Sequence, residues 1–187
     1  MKEEKINLIL EKIKNIDFNQ KIFDDSKIEF DEELVISWLN NKKFKAELLF
    51  RKTRDGSTPN DFHNKCDNKG ITITFIETTK GYKFGGYTEL QWDKLGCKKD
   101  KSTFIFSFNK KEKYLPRNNK DLINSSQDEG PRFGYSYPEI YLPNTLDKGE
   151  SYEHNSTYST FLIGRQLTNG EQYWDVKELE VFKIIYE

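Results

Sequence analysis

The chain has 187 residues and a net charge of −1, and 14 phenylalanines, 10 tyrosines and 3 tryptophans stand among its 35% hydrophobic residues. A chain of this length fits one domain that buries about 70% of its unfolded surface, and we expect aromatic side chains to fill the core. The near-zero charge argues against a nucleic-acid-binding protein that relies on overall charge, and no window is apolar enough to span a bilayer.

The number of cysteines and the N-terminal sequence indicate the cellular compartment of the protein. Cys66 and Cys97 are the only cysteines, too few for a disulfide framework, which favours a reducing environment. The N-terminus lacks the apolar core of a signal peptide. We therefore expect a cytoplasmic protein.

The first twenty residues predict an amphipathic helix, separate from a domain over residues 24–187. The apolar residues of this segment form one stripe at helical spacing: Ile6, Ile9, Leu10, Ile13 and Ile16. Lysines and acidic residues nearly cancel, so a basic face for membranes is not indicated. The stripe could dock on its own domain or on a second copy of the chain.

The next segment predicts a helix and then a strand. Asp31 is a suitable N-cap for a helix that has Glu32 and Glu33 in its first turn and continues through residues 34–39, on which Trp38 would be the core anchor. Alternating apolar residues then predict the first strand, from Phe44 to Phe50.

The stretch over residues 50–92 predicts a capped helix followed by a hairpin. Thr58 can cap a helix that has Pro59 at its first position and places Phe62 and Cys66 on one face. Residues 71–76 alternate as a half-buried strand does, Gly81 turns the chain, and residues 82–88 return. A glycine pair in the returning strand, Gly85 and Gly86, indicates a bulge or a close approach of backbone.

The second half of the chain predicts further strands. We expect them over residues 103–108, 139–142, 160–163 and 174–186, with a polar surface loop from Arg117 to Gly130. Both parities of the last strand are apolar, with Leu179, Val181 and Ile185 on one face and Val176, Phe182 and Ile184 on the other. That pattern is typical of a central strand covered on both sides. Short turns and few helices favour a mainly antiparallel α+β domain.

Several ordered pieces of this sequence resemble the TLDc domain, the module of the oxidation-resistance proteins. The pieces are Thr53-Arg54-Asp55-Gly56, Phe62-His63-x-x-Cys66-Asp67, Phe84-Gly85-Gly86-Tyr87 with Trp92, Gly130-Pro131-Arg132-Phe133-Gly134, Tyr152-Glu153-His154 and Glu178-Leu179-Glu180-Val181-Phe182. The sequence departs from the family pattern at residues 135–142, where YSYPEIYL replaces a glycine-rich run.

The resemblance implies a fold and a function. The fold would be two antiparallel β-sheets packed as a sandwich, flanked by short helices. The function would be non-catalytic: protection from oxidative stress, through binding and regulation of the vacuolar proton-pumping ATPase.

Few residues offer catalytic or metal-binding chemistry. His63, Cys66, Cys97 and His154 lack the paired spacing of structural zinc sites, so we expect no metal and no cofactor. Cys66 is expected to be a packed thiol rather than a nucleophile, and His63 to hydrogen-bond to a neighbouring loop. Arg54, Asp55 and Gly56 predict a turn.

Glu180 is the most informative acid, because it shares a face with Phe182 and Ile184 on a covered strand. An unpaired carboxylate would be costly there. We expect it to pair with Arg54, Arg132 or Arg165, or to accept backbone hydrogen bonds. A buried acid also has a catalytic interpretation, so an enzyme using Cys66 or Glu180 is the alternative function.

Two lysine clusters are candidate contact sites for a partner. The first contains Lys98, Lys99 and Lys101, and the second contains Lys110, Lys111 and Lys113. They could meet an acidic protein, a phospholipid or RNA, or be solvated hairpin ends. Nucleic-acid binding through these basic loops is the third functional hypothesis.

Overall fold

The computed structural model describes residues 21–99, 101–117, 123–152, 157–158 and 163–187. The helix predicted over residues 1–20 lies outside these ranges, as do Glu153, His154 and most of the strand predicted over residues 160–163. Ile163 itself begins a helix.

The described chain forms four short helices and ten strands. The helices are α1 (Glu32–Trp38), α2 (Lys52–Asp55), α3 (Pro59–Cys66) and α4 (Ile163–Leu167). The strands are β1 (Phe44–Arg51), β2 (Thr72–Thr78), β3 (Lys83–Thr88), β4 (Gly96–Lys98), β5 (Phe104–Ser107), β6 (Glu112–Tyr114), β7 (Ile123–Ser125), β8 (Arg132–Phe133), β9 (Lys148–Glu150) and β10 (Tyr173–Tyr186).

The strands form two antiparallel sheets, which makes the fold the predicted α+β sandwich. The larger sheet has seven strands in the order β1-β10-β2-β3-β5-β6, with β9 paired to the start of β10. The smaller sheet has the order β4-β7-β8. No helix of the described residues has both the length and the apolar character needed to cross a membrane.

Side-chain caps fix the helices where the sequence places them. The Asp31 carboxylate accepts a hydrogen bond from the Glu33 amide at the start of α1. Thr58 and Asp61 form a reciprocal capping box at the start of α3, with Pro59 in its first turn. Both predicted helix starts are confirmed.

The larger sheet is covered on both faces. One core lies between the sheets and contains Phe84, Trp92 and Phe133. The other core lies beneath residues 23–39 and contains Phe23 and Trp38. As predicted, β10 contributes to both.

The predicted faces of β10 need two corrections. Val176 packs with Leu179 and Val181 rather than with Phe182, because the pairing of β10 with β2 shifts register between Val176 and Glu178. An irregularity of this kind moves every side chain on one side of it to the other face. Ile185, predicted to be covered, is 41% exposed.

Two other segments also differ from expectation. The predicted surface loop from Arg117 to Gly130 contains β7, whose Ile123 and Ser125 are buried between β4 and β8. Residues 139–142 make only isolated bridges to Phe133 and Glu150 instead of a strand. Pro138 and Pro143 flank them, and proline has no N–H to extend a ladder.

Candidate functional site

The glycine pair of β3 sits where side chains do not fit. A Cβ on Gly85 would lie 1.9 Å from the Thr74 carbonyl oxygen, and a Cβ on Gly86 would lie 2.5 Å from the Phe133 ring. Neither glycine has a positive φ. Close packing, and not backbone strain, therefore requires glycine at both positions.

The aromatic residues near this pair are fixed by hydrogen bonds. The Trp92 indole N–H donates to the Thr72 hydroxyl at 3.0 Å. The Tyr87 hydroxyl lies 3.0 Å from both Glu89 Oε1 and the Tyr186 hydroxyl. Both rings are buried, so these two family-motif residues hold strands together.

Arg54, Asp55 and Gly56 end the short helix α2. The Asp55 carboxylate receives hydrogen bonds from the Arg54 guanidinium and from the Arg51 amide at 2.9 Å. Burial alone would raise the pKa of Asp55, but these hydrogen bonds lower it below its usual range. Gly56 follows with φ of +121°, a conformation that favours glycine.

His63 joins α3 to the turn between β7 and β8. Its Nε2 lies 2.9 Å from the Ser126 carbonyl oxygen and 3.1 Å from that of Glu129, and its Nδ1 lies 2.7 Å from Asp67 Oδ1. The predicted hydrogen bond to a neighbouring loop is confirmed. All three family-motif positions of α3, Phe62, His63 and Cys66, are buried.

The two cysteines occupy different environments. Cys66 is buried, and burial raises the pKa of its thiol well above the usual range. Cys97 is exposed, and neither cysteine forms a disulfide. Within the described part of the chain, no group of three or more histidine, cysteine, aspartate or glutamate residues could hold a metal ion.

Glu180 is paired as expected, but by an arginine that the sequence did not single out. Arg51 Nε donates to Glu180 Oε1 at 2.7 Å, and these residues are cross-strand partners of β1 and β10. The Ser26 hydroxyl and the Lys27 amide donate to the same carboxylate at 2.5 and 3.0 Å.

The three arginines named as candidate partners of Glu180 make other contacts. Arg54 binds Asp55, Arg132 binds Glu129 at 3.0 Å, and Arg165 donates to Gln172 at 3.2 Å. No local pattern identifies Arg51, because its register with Glu180 depends on pairing between distant strands.

Three further buried carboxylates, Glu77, Glu139 and Glu178, were not identified from the sequence. Glu178 accepts hydrogen bonds from the Thr53 amide and hydroxyl, which ties β10 to α2.

Glu139 accepts hydrogen bonds from the backbone amides of Thr157 and Tyr158 at 2.6 and 3.2 Å. Gly134, with φ of +105°, lies against Glu139, and a Cβ there would come within 2.2 Å of Oε2. Gly134 therefore makes room for this carboxylate.

The lysine clusters lie at opposite ends of β5 and are not uniformly exposed. Lys99, Lys101, Lys110 and Lys111 are exposed. Lys98 donates a hydrogen bond to the Gln91 carbonyl at 2.5 Å and forms an ion pair with Asp93.

Lys113 donates a hydrogen bond to the Trp38 carbonyl at 2.8 Å, and its Nζ lies 5.0 Å from the centroid of the Phe104 ring. Burial lowers the pKa of Lys113.

We compared the sequence with models of known protein families and with curated proteins. The family model of the TLDc domain matches residues 16–185, nearly the whole chain. No curated protein matches the sequence at a significant level. A family model that matches so much of the sequence shows the family, and the chain belongs to the TLDc domain family.

Proposed function

We propose that this TLDc domain is a non-catalytic module that acts by binding a protein, and that the vacuolar proton-pumping ATPase is the first candidate partner. One observation carries the proposal. The residues with the most reactive chemistry, His63, Cys66 and Glu180, are each committed to contacts that hold the fold together. The family is associated with oxidation resistance, so stress protection at vacuolar or endosomal surfaces is the proposed role.

The alternative of an enzyme using Cys66 or Glu180 is less well supported. A nucleophilic cysteine needs an exposed thiol with a lowered pKa, whereas Cys66 is buried with a raised one. A general acid or base must reach a substrate proton. The Glu180 carboxylate is fully buried, and Arg51, Ser26 and Lys27 already donate to it.

The turn between β5 and β6 is our candidate contact element for the ATPase. Lys110 and Lys111 are exposed there, and loops on a rigid scaffold commonly carry recognition. Surface charges of this kind speed encounter more than they tighten a complex. Lys113 is left out of the contact test, because its contacts with Trp38 and Phe104 give it a structural role.

The test is association of the purified protein with the purified catalytic sector of the ATPase. Lys110 and Lys111 are both changed to glutamate, and the rate is measured at ionic strengths of about 0.05 M and about 0.3 M. The control changes Lys43 and Lys45 to glutamate. These lysines are exposed on and beside β1, at the opposite edge of the sheet, and give the same change in net charge.

We expect slower association for the Lys110/Lys111 variant, by an amount that shrinks as salt rises, and little change for the control. Absence of binding by the wild type at micromolar concentration would exclude this partner. Equal binding by both variants would place the contact elsewhere.

The third hypothesis, nucleic-acid binding through the basic loops, is tested with single-stranded RNA under the same conditions. Binding that falls steeply with salt is the expected signature of counterion release. Such binding, lost in the Lys110/Lys111 variant, would favour RNA over a protein partner.

A further inference from the structure

We propose that five tyrosines around Glu150 form a docking surface for a protein segment that presents a lysine or arginine side chain. The tyrosine surface consists of Tyr135, Tyr137, Tyr141, Tyr152, Tyr173 and Glu150. The inference rests on the proposed function only in taking a protein as the partner, and it does not require that partner to be the ATPase.

Contacts within the fold place these residues side by side. Tyr173 pairs with Glu150 across β10 and β9, and Tyr141 bridges to Glu150 from the other side. The Tyr152 hydroxyl donates to the Glu150 carboxylate, and the ring centroids of Tyr152 and Tyr137 lie 6.0 Å apart. Four of the tyrosines therefore group around one carboxylate, and Tyr135 is joined to them through Arg132, which donates to its carbonyl and lies over Tyr141.

Three of the five tyrosines are exposed to solvent. Tyr173 is 67% exposed, Tyr135 is 45% exposed and Tyr137 is 43% exposed, and they make up half of the six large hydrophobic side chains that are most exposed in the described chain. Tyrosine is enriched at protein interfaces, where it supplies large contact area at a low cost in conformational entropy. Grouped exposed aromatics of this kind mark an interaction site rather than scattered surface residues.

A cleft of about 310 Å³ opens beside this surface and gives the partner side chain a place to enter. Tyr173, Trp174 and Pro143 contribute its aromatic and apolar walls, and Glu150 contributes a carboxylate. An aromatic wall next to a carboxylate fits the long apolar stem and charged head of lysine or arginine.

The charges at the cleft favour a cation over an anion. Lys148 and Asp175 also line it, but they are direct cross-strand partners with opposite charges. Glu150 receives a hydrogen bond from a neutral hydroxyl, which does not cancel the charge of a carboxylate. The balance of these three groups is therefore negative.

One tyrosine of the surface already holds a cation of the same chain. The guanidinium carbon of Arg132 lies 4.8 Å from the centroid of the Tyr141 ring, and the same side chain donates to the Tyr135 carbonyl at 2.5 Å. Arg132 is paired with Glu129 and stays within the fold. A partner arginine placed over Tyr137 or Tyr173 would repeat this geometry.

The test is selection from a library of random peptides displayed on phage, with the full chain as the target. Affinities of the selected peptides are then measured by fluorescence anisotropy for the wild type and two variants. The first variant is Tyr137→Ala with Tyr173→Ala. The second is Glu150→Gln, whose amide oxygen can still accept the Tyr152 hydroxyl.

A matched control removes exposed apolar side chains elsewhere, through Leu95→Ala with Leu115→Ala. Because all the truncated side chains are exposed, the melting temperatures of the variants should match that of the wild type, which separates lost docking from lost folding.

We expect selected peptides to carry lysine or arginine, and each tyrosine-surface variant to bind them about tenfold more weakly or worse, as loss of an interface anchor does. The control should bind like the wild type. Enrichment of acidic peptides, failure to enrich any peptide, or affinities unchanged by both variants would overturn the docking surface. ATPase binding that is indifferent to these variants would leave the proposed partner standing and remove only this surface as its contact.

Discussion

Arg51 and Glu180 form a buried ion pair across β1 and β10, with 2.7 Å between Nε and Oε1. Above the pair, the Ser26 hydroxyl and the Lys27 amide donate to the carboxylate, and the Arg51 guanidinium donates to the Asp25 carbonyl. The pair thus fastens residues 25–27 to the sheet, and with them the segment that covers one of the two cores.

We expect Glu180→Ala to lower the free energy of unfolding by about 3–5 kcal/mol, because it leaves the Arg51 charge buried without its partner. Urea denaturation measures the change. The control is Glu47→Ala on the exposed side of β1, expected within about 0.5 kcal/mol of the wild type. Loss of ATPase binding in Glu180→Gln at an unchanged melting temperature would instead make Glu180 a functional site.

Substitutions of Gly85 and Gly86 in β3 should both destabilise the fold, but only the effect at Gly86 should be relieved by a second substitution. Gly86→Ala and Gly86→Val should each destabilise the fold by about 1–3 kcal/mol through overpacking against Phe133. Phe133→Leu should recover part of that loss in Gly86→Ala, because the obstructing atoms belong to a side chain. Gly85→Ala should resist such rescue by Phe106→Leu, since its closest obstacle is the Thr74 carbonyl oxygen. Equal melting temperatures for wild type and Gly86→Val would contradict the packing argument.

Thiol labelling of the native protein should distinguish the two cysteines. We expect Cys97 to react with a disulfide reagent at neutral pH, while Cys66 reacts only as the protein unfolds, because its thiol is buried with a raised pKa. The Cys97→Ser variant should therefore show almost no native labelling. Rapid labelling of Cys66 in that variant would support the alternative hypothesis of an enzyme that uses the Cys66 thiol.

Lys113 should behave as a structural residue, unlike its neighbours in the β5–β6 turn. Lys113→Glu loses the hydrogen bond to the Trp38 carbonyl and places a carboxylate near the Phe104 ring, so we expect about 1–3 kcal/mol of destabilisation. Lys110→Glu and Lys111→Glu are exposed controls and should change the melting temperature little. Equal stability of all three variants would remove this distinction.

Tyr152 should titrate at unusually high pH. Its hydrogen bond to the Glu150 carboxylate, together with burial, raises the pKa of Tyr152 to about 12 from the usual 10.0. A raised pKa in the folded state means that this contribution to stability is present below pH 10 and is lost as the pH rises from 10 to about 12. Ultraviolet absorbance measures phenolate formation, and Tyr152→Phe should remove the step near 12. An unchanged titration curve would refute the contact.

Local chemistry explains which features could be read from the sequence. The cap at Thr58 and the glycine pair were predictable because each depends on residues within a few positions along the chain. The tertiary pairings were not. Arg51 meets Glu180 only after strands distant in sequence pair, and Ile123 lies in a polar stretch that becomes a strand only between β4 and β8.

The tyrosine surface shows the same limit at a candidate site. Tyr137 and Tyr173 lie far apart along the chain and follow no common spacing. They meet around Glu150 through the pairing of β9 with β10 and the contact of Tyr137 with Tyr152. No window of sequence contains that arrangement.

The position of β10 has a consequence for the order of folding during synthesis. β1 is made before β10, yet its ladder partner in the described fold is β10, from which Tyr186 pairs with Phe44. Until β10 has been made, β1 and β2 have no strand to join them, and the cores on both faces stay open. Such distant pairing slows folding. Phe44 and Phe50 of β1 therefore stay without a ladder partner until β10 has been made, whereas β2, β3 and β5 can pair with one another before then.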